Sequence, residues 1–331
     1  MNTTKPYDTI CLSGGGVKGI SFIGALKYLE EQSHLNINDI SNWVGTSAGA
    51  ILSFILSLGY SIEEIQDFIL DFNFKMLEPD VCIENLLGKY GIISSDKLMY
   101  MINKFLKEKY NLDDITFEEH YKLTNKKLTV IGTNFSKGIE AVFNYINYPK
   151  MSVLTAVRIS ISVPVVFMPV EFESDFYVDG ALVNNFPINH CNPETTLGLY
   201  IKNSCCNQMK NIITLIQGCF SILADTISRK DCPESNTNYK VIEILNNVQE
   251  FTNFNLDVEK KKKIIKMGID PAKEYLEKIP KPIIPPIETV TENNSTNEEN
   301  IIDSEPQTNN SDNQNTNTKV NEEPEQNQTQ E

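Results

Sequence analysis

Apolar residues along this chain follow two alternating rhythms: short β-prone runs, and longer stretches whose apolar positions recur every three or four residues. The first run, Tyr7 to Leu12, ends in Ser13-Gly14-Gly15-Gly16-Val17-Lys18-Gly19, after which Ile20, Ile23, Leu26, Tyr28 and Leu29 recur at helical spacing. A second strand, Asn42 to Val44, leads through Gly45-Thr46-Ser47-Ala48-Gly49 into the apolar run Ala50 to Leu56. Ser61-Ile62-Glu63-Glu64 has the spacing of a capping box and starts a third helix through Phe72. Residues 75–125 read as helical and polar, most clearly from Asp96 to Lys109. Further strands are expected at Lys127–Thr133, Glu140–Asn144, Phe167–Val170, Phe176–Val178, Leu197–Ile201 and Val241–Leu245. Helices are expected at Val153–Ile161, stopped by Val163-Pro164, and at Ile212–Ile227 and Asp257–Leu276. Strands alternating with helices after an early glycine turn predict the α/β class: three α/β/α layers around a mostly parallel central sheet.

Beyond Lys281 the rhythm stops. Residues 282–331 are rich in Asn, Gln, Glu, Thr and Pro, and they hold eleven acidic side chains and one lysine. Such a segment buries too little apolar surface to offset the entropy of ordering, so a disordered tail is expected after a domain at 1–281. The tail carries −10 of the total −15, leaving −5 on residues 1–281. A mildly acidic body argues against nucleic acid as a partner.

No segment has the 18 or so apolar residues of a membrane span; Ala48 to Leu58 is too short and carries serines. With no signal-like N-terminus, a cytoplasmic, non-secreted protein is expected. Seven cysteines without C-x-x-C spacing fit reduced thiols, and Cys205-Cys206 has no partners at metal-ligand spacing. Twenty-seven lysines against two arginines suggest an A/T-rich coding genome of the protist or large-virus kind, in which case the cytoplasm is a host's.

The chemistry concentrates at three places. Gly45-x-Ser47-x-Gly49 has the spacing of a nucleophile elbow, where a strand turning sharply into a helix forces a serine hydroxyl into the open. The Gly14–Gly19 loop matches G-x-G-x-x-G, but a dinucleotide site needs an acid at the end of the second strand, and Asp39 precedes that strand. It is not a Walker loop either, since Lys18 comes before the last glycine. Loop and elbow both follow strands of one parallel sheet, so both emerge at its carboxyl edge, where loop amides can face an oxyanion at Ser47. For the base there are two candidates. His190, eleven residues after Asp179, would complete a Ser-Asp-His order, while His34 and His120 read as surface helix ends. Asp179, in Val178-Asp179-Gly180-Ala181, is the more economical base, but a free aspartate (pKa about 3.9) needs desolvation to serve, and Asp-Gly is also a common turn pair.

Gly14-Gly15-Gly16-Val17-Lys18-Gly19, Gly45-Thr46-Ser47-Ala48-Gly49 and Asp179-Gly180-Ala181, in this order and separation, resemble the patatin-like phospholipase family. Arg158 to Phe167 and Asn185-Phe186-Pro187 agree with its flanking stretches, and the similarity runs from about Tyr7 to about Asn189. The resemblance implies a Ser47–Asp179 dyad and an oxyanion hole from Gly14, Gly15, Gly16, Val17 and Lys18. Gly19, Gly45, Gly49, Gly180 and Ala181 complete the motifs. It implies neither metal nor cofactor nor catalytic histidine, and a phospholipid or other acyl-ester lipid as substrate, met in transient contact with a membrane surface. An activator or a tail-binding partner is a further possibility, and a catalytically silent lipid-binding or scaffold protein is the alternative. Ser13 departs from members that carry Asp there. Lys260 to Lys263 reads as a solvated helical stretch that can also meet anionic headgroups. Phe68, Phe72, Phe74, Met76 and Leu77 can form a lipid-facing lip, but most of them read as core.

Overall fold

The structure, a computed structural model, describes residues 7–77, 88, 90–203, 212–231, 238–246 and 254–279. The expected tail and Cys205-Cys206 lie outside these. The strands are β1 (Thr9–Leu12), β2 (Asn42–Thr46), β3 (Gly91–Ile93), β4 (Lys127–Asn134), β5 (Ile139–Phe143), β6 (Val165–Phe167), β7 (Val170–Phe172), β8 (Asp175–Asp179), β9 (Thr196–Asn203) and β10 (Lys240–Asn246). The helices are α1 (Ile20–Glu31), α2 (Ala48–Ser57), α3 (Ile62–Asp71), α4 (Asp96–Tyr110), α5 (Phe117–Thr124), α6 (Val153–Ser160), α7 (Ile212–Asp231) and α8 (Val258–Lys278).

An eight-stranded mixed sheet in the order β10-β9-β1-β2-β4-β8-β7, with β5 also on β4, forms the middle layer. Its first five strands are parallel; β5, β8 and β7 are added antiparallel. The strand expected at Phe167–Val170 is two strands in two sheets: β6 pairs with β3, and β7 pairs with β8. Pro169 between them has no N–H for a ladder, which breaks the run.

Alternation along the strands sends side chains to two cores. Ile10, Leu12, Trp43, Leu128 and Val130 join the larger one, with α1, α2, α6 and α8; Cys11 and Val44 join a smaller one with Phe186, Ile188 and Tyr200. The capping box at Ser61–Glu64 is present, and a second, Thr116–Glu119, starts α5. Helices α1 and α8 meet backbone to backbone. A Cβ on Gly24 would lie 1.9 Å from the Ile265 carbonyl oxygen, and one on Gly268 would lie 1.9 Å from that of Ser21. The lysine run at the start of α8 is only partly solvated. Lys261 is buried, and its Nζ donates to the Leu70 and Phe72 carbonyls at 2.9 and 2.7 Å, tying α8 to the end of α3.

Candidate active site

Ser47 stands between β2 and α2 with φ 55° and ψ −120°, a left-handed conformation that costs a non-glycine residue about 1–3 kcal/mol. The turn is too tight for side chains on either side. A Cβ on Gly45 would lie 2.5 Å from the Gly49 carbonyl, and one on Gly49 would lie 2.3 Å from the Leu12 carbonyl oxygen. The strained turn is held by a residue that sequence reasoning did not single out. The Ser47 N–H donates to Ser160 Oγ at 2.8 Å, and Ser160 Oγ–H donates to the Ile131 carbonyl at 2.5 Å. Thr46 Oγ1 adds a bond to the Asn184 carbonyl at 2.9 Å. Ser160→Ala leaves two buried groups unpaired at the elbow. It is expected to cost about 1–3 kcal/mol in denaturant titration and to slow turnover more than it weakens substrate binding.

Asp179 reaches Ser47 through the pairing of β4. Gly132 to Asn134 pair with both β5 and β8, and Val130 and Ile131 pair with both β5 and β2. Strands β2 and β8 therefore share one edge of β4 end to end: Thr46 sits opposite Ile131, and Asp179 opposite the next residue, Gly132. Where β2 leaves the edge as the elbow, β8 arrives with the carboxylate. Gly180 lets the chain turn away there, since a Cβ would lie 2.4 Å from the Ile131 carbonyl oxygen.

The Ser47 hydroxyl donates to Asp179 Oδ2 at 2.8 Å, and the Ala181 N–H donates to Oδ1 at 2.8 Å. The carboxyl is fully buried, and desolvation raises its pKa to about 7 against the pull of these two donors. The backbone of Asp179 is fixed by Thr133 Oγ1 on its carbonyl and by its own N–H on the Ser162 carbonyl.

The glycine loop lies against the serine: a Cβ on Gly14 would be 3.3 Å from Ser47 Cβ and 2.4 Å from Asn185 Oδ1. Of the five residues expected to supply oxyanion donors, two have amides engaged elsewhere. The Gly14 N–H donates to the Asn185 carbonyl at 2.9 Å, and the Lys18 N–H to the Gly15 carbonyl at 3.2 Å. Among the described residues, the amides of Gly15, Gly16 and Val17 make no hydrogen bond within the fold. Gly19 packs the loop onto α2, where a Cβ would lie 2.9 Å from Ala48 Cβ. Ser13 anchors the loop's start, accepting from the Ile201 N–H at 2.9 Å and donating to the Gly14 carbonyl at 3.0 Å.

The histidines are engaged away from the serine hydroxyl. His120, expected on the surface, is buried: Nε2 is 2.8 Å from Ser57 Oγ, and burial lowers its pKa to about 4. His190 Nε2 lies 2.9 Å from Glu140 Oε1. Among the described residues, no three His, Cys, Asp or Glu side chains gather as a metal-binding group. No described helix is long and apolar enough to cross a membrane.

Two spaces open at Ser47. An apolar cavity of about 140 Å³ begins at Gly16 and Ser47, follows Ile51 and Ile55 along α2, and reaches Phe68 and Phe105. A smaller pocket of about 30 Å³ lies among Gly14, Ser47, Ala181, Asn185 and Phe220.

Among known proteins, the chain is 35% identical over 192 residues to a probable lipid hydrolase, 463L, of Invertebrate iridescent virus 6, covering 56% of this chain and 63% of that one. It is 33% identical over 181 residues to the uncharacterized protein R571 of Acanthamoeba polyphaga mimivirus, covering 54% and 59%. The matches thus span less than two thirds of either relative's length. The solved structure of VipD from Legionella pneumophila shares the fold, with a TM-score of 0.51 at 17% identity over 82% of this chain and 67% of that one. The family model for patatin-like phospholipase matches residues 10–191, more than half of the sequence, and the chain belongs to the patatin-like phospholipase family.

Proposed function

We propose that this chain is a serine acyl-ester hydrolase acting on lipids, of the phospholipase A or lysophospholipase type, with Ser47 and Asp179 as a catalytic dyad. The observation that carries the reading is the 2.8 Å bond from the Ser47 hydroxyl to a fully buried carboxylate at the mouth of an apolar cavity. Asp179 takes the Ser47 proton as Oγ attacks the ester carbonyl carbon. The proton then goes to the leaving alkoxide as the C–O bond breaks, leaving an acyl group on Oγ. Water attacks that acyl carbon, gives its proton to Asp179, and frees the acid as the proton returns to Ser47. In each half the oxyanion takes its donors from the Gly15, Gly16 and Val17 amides. Loss of one such donor costs other serine hydrolases about 2.7–4 kcal/mol. Release of fatty acid from phosphatidylcholine and lysophosphatidylcholine by the intact chain, absent in Ser47→Ala, tests the reading. Folded protein that releases none from any acyl-ester lipid contradicts it and leaves a silent lipid binder.

The apolar cavity would take the acyl chain. Ala48, Ile51 and Ile55 mark successive turns of α2, so Ile55 lies about 10 Å along the helix from the elbow. Ile55→Trp is expected to close the far end and shift preference from long to short nitrophenyl esters, by about tenfold in the ratio of kcat/KM values. An unchanged chain-length profile would remove the acyl chain from this cavity.

A further inference from the structure

Helix α7 turns an apolar stripe away from the body. At helical spacing, Leu215, Cys219, Ile222 and Leu223 form one stripe, and all four are exposed; Leu215 is 41%, Ile222 68% and Leu223 43% accessible. The residues it turns inward include Thr214, Asp225 and Ser228, all buried. These polar side chains have partners within the fold: Tyr200 Oη donates to Asp225 Oδ1, and Ser228 Oγ donates to the Ala224 carbonyl and lies 3.5 Å from Asn185 Nδ2. The helix thus holds to the body through these hydrogen bonds and through Phe220 and Ala224, and turns a second apolar stripe outward.

We infer that this stripe seats on the surface of a lipid bilayer and delivers the site to its substrate. The inference rests on the lipid hydrolase reading above. Three observations select this occupant. The inner face of the same helix, at Phe220, Ser221 and Ala224, lines the smaller pocket at Ser47. The stripe therefore lies about one helix diameter, ~10 Å, from the mouth of the site. Ser47 is only 8% exposed, so a lipid ester must leave the bilayer to reach it, and the protein must rest on that bilayer at the mouth. Finally, no charged residue occurs from Ile212 to Ala224, and residues 1–281 carry net −5. A neutral stripe on an acidic body enters the interface by apolar burial, not by attraction to anionic headgroups.

The test uses the full chain carrying Ser47→Ala, so that binding is read without hydrolysis. It is expected to float with phosphatidylcholine vesicles. Ile222→Glu with Leu223→Glu should lower the bound fraction about tenfold. Added phosphatidylserine should change binding by less than about twofold. The single native tryptophan, Trp43, is fully buried, so the variant Ile222→Trp reports on the stripe, and its emission should shift to the blue on adding vesicles. Unchanged flotation in the double variant, no flotation at all, or an emission of Ile222→Trp that vesicles do not move overturns the inference. A dimer that the double variant dissolves while vesicle binding persists also overturns it, and gives the stripe to a second copy. Hydrolysis of soluble nitrophenyl butyrate by the otherwise wild-type chain separates the two readings. Turnover without vesicle binding defeats the docking surface alone; stripe-dependent binding without any turnover supports docking and defeats the hydrolase.

Discussion

Asp179→Asn is expected to fold and to lose turnover of any ester by about 10³- to 10⁴-fold, the scale seen when a triad carboxylate is removed from other serine hydrolases. An amide cannot take the Ser47 proton, yet it fills the same volume between Ser47 Oγ and the Ala181 N–H. The same residue sets a pH dependence. Burial raises the Asp179 carboxyl from 3.8 to about 7, so the proposed base is about half ionised near neutrality and mostly carboxylate above it. In the wild type, kcat/KM should climb as pH rises through about 7 and level off above it. Stability runs the opposite way. A carboxyl whose pKa is higher folded than unfolded binds its proton more tightly in the native state. Its contribution is fully present below about 3.8 and is lost as pH rises through about 7. Asp179→Asn lacks this titration, so it should gain stability relative to the wild type between pH 5 and pH 8, by on the order of a few kcal/mol. Thermal melts of both proteins across that range check it; parallel curves would mean that Asp179 is not perturbed.

Gly268→Ala should have the largest effect on the fold. The added methyl would meet the Ser21 carbonyl oxygen at 1.9 Å and the Ala25 nitrogen at 2.9 Å, both backbone atoms of α1. Backbone cannot rotate aside as a side chain does, so the helices must separate, at a cost above about 3 kcal/mol. In a domain of this size that lowers Tm by more than about 6 °C in calorimetry. The shift should also reach the site. Ser21 Oγ donates to the Lys18 carbonyl at 2.7 Å, so a displaced α1 drags the end of the glycine loop with it. A variant that melts with the wild type would show that the two helices do not meet this closely.

The elbow and the glycine loop were legible because their spacing is dictated locally. Gly45 and Gly49 face backbone atoms a few residues away or at the end of β1, and only glycine leaves room. Asp179 was legible as a motif but not as a neighbour of Ser47. That juxtaposition comes from β2 and β8 sharing one edge of β4, a pairing with no local signature. Ser160 was missed for a similar reason. It reads as one more polar position of α6, and its bond to the Ser47 N–H spans 113 residues. His120 and Lys261 read as surface groups because polar neighbours surround them in sequence; in the fold each is buried against a partner from a distant helix. Helix α7 shows the limit of periodicity. Spacing located the helix, but its exposed apolar stripe marks the side turned away from the body, while the inner side mixes Phe220 and Ala224 with Asp225 and Ser228, which bond Tyr200 and Asn185.

Labelling with a fluorophosphonate, read by intact mass and peptide mapping, tests the Ser47–Asp179 dyad most directly. The dyad predicts one adduct per chain, on Ser47, absent in Ser47→Ala, strongly slowed in Asp179→Asn, and slowed in the wild type as pH falls below about 7. Folded wild-type protein that stays unlabelled, an adduct on another serine, or full-rate labelling of Asp179→Asn would contradict it.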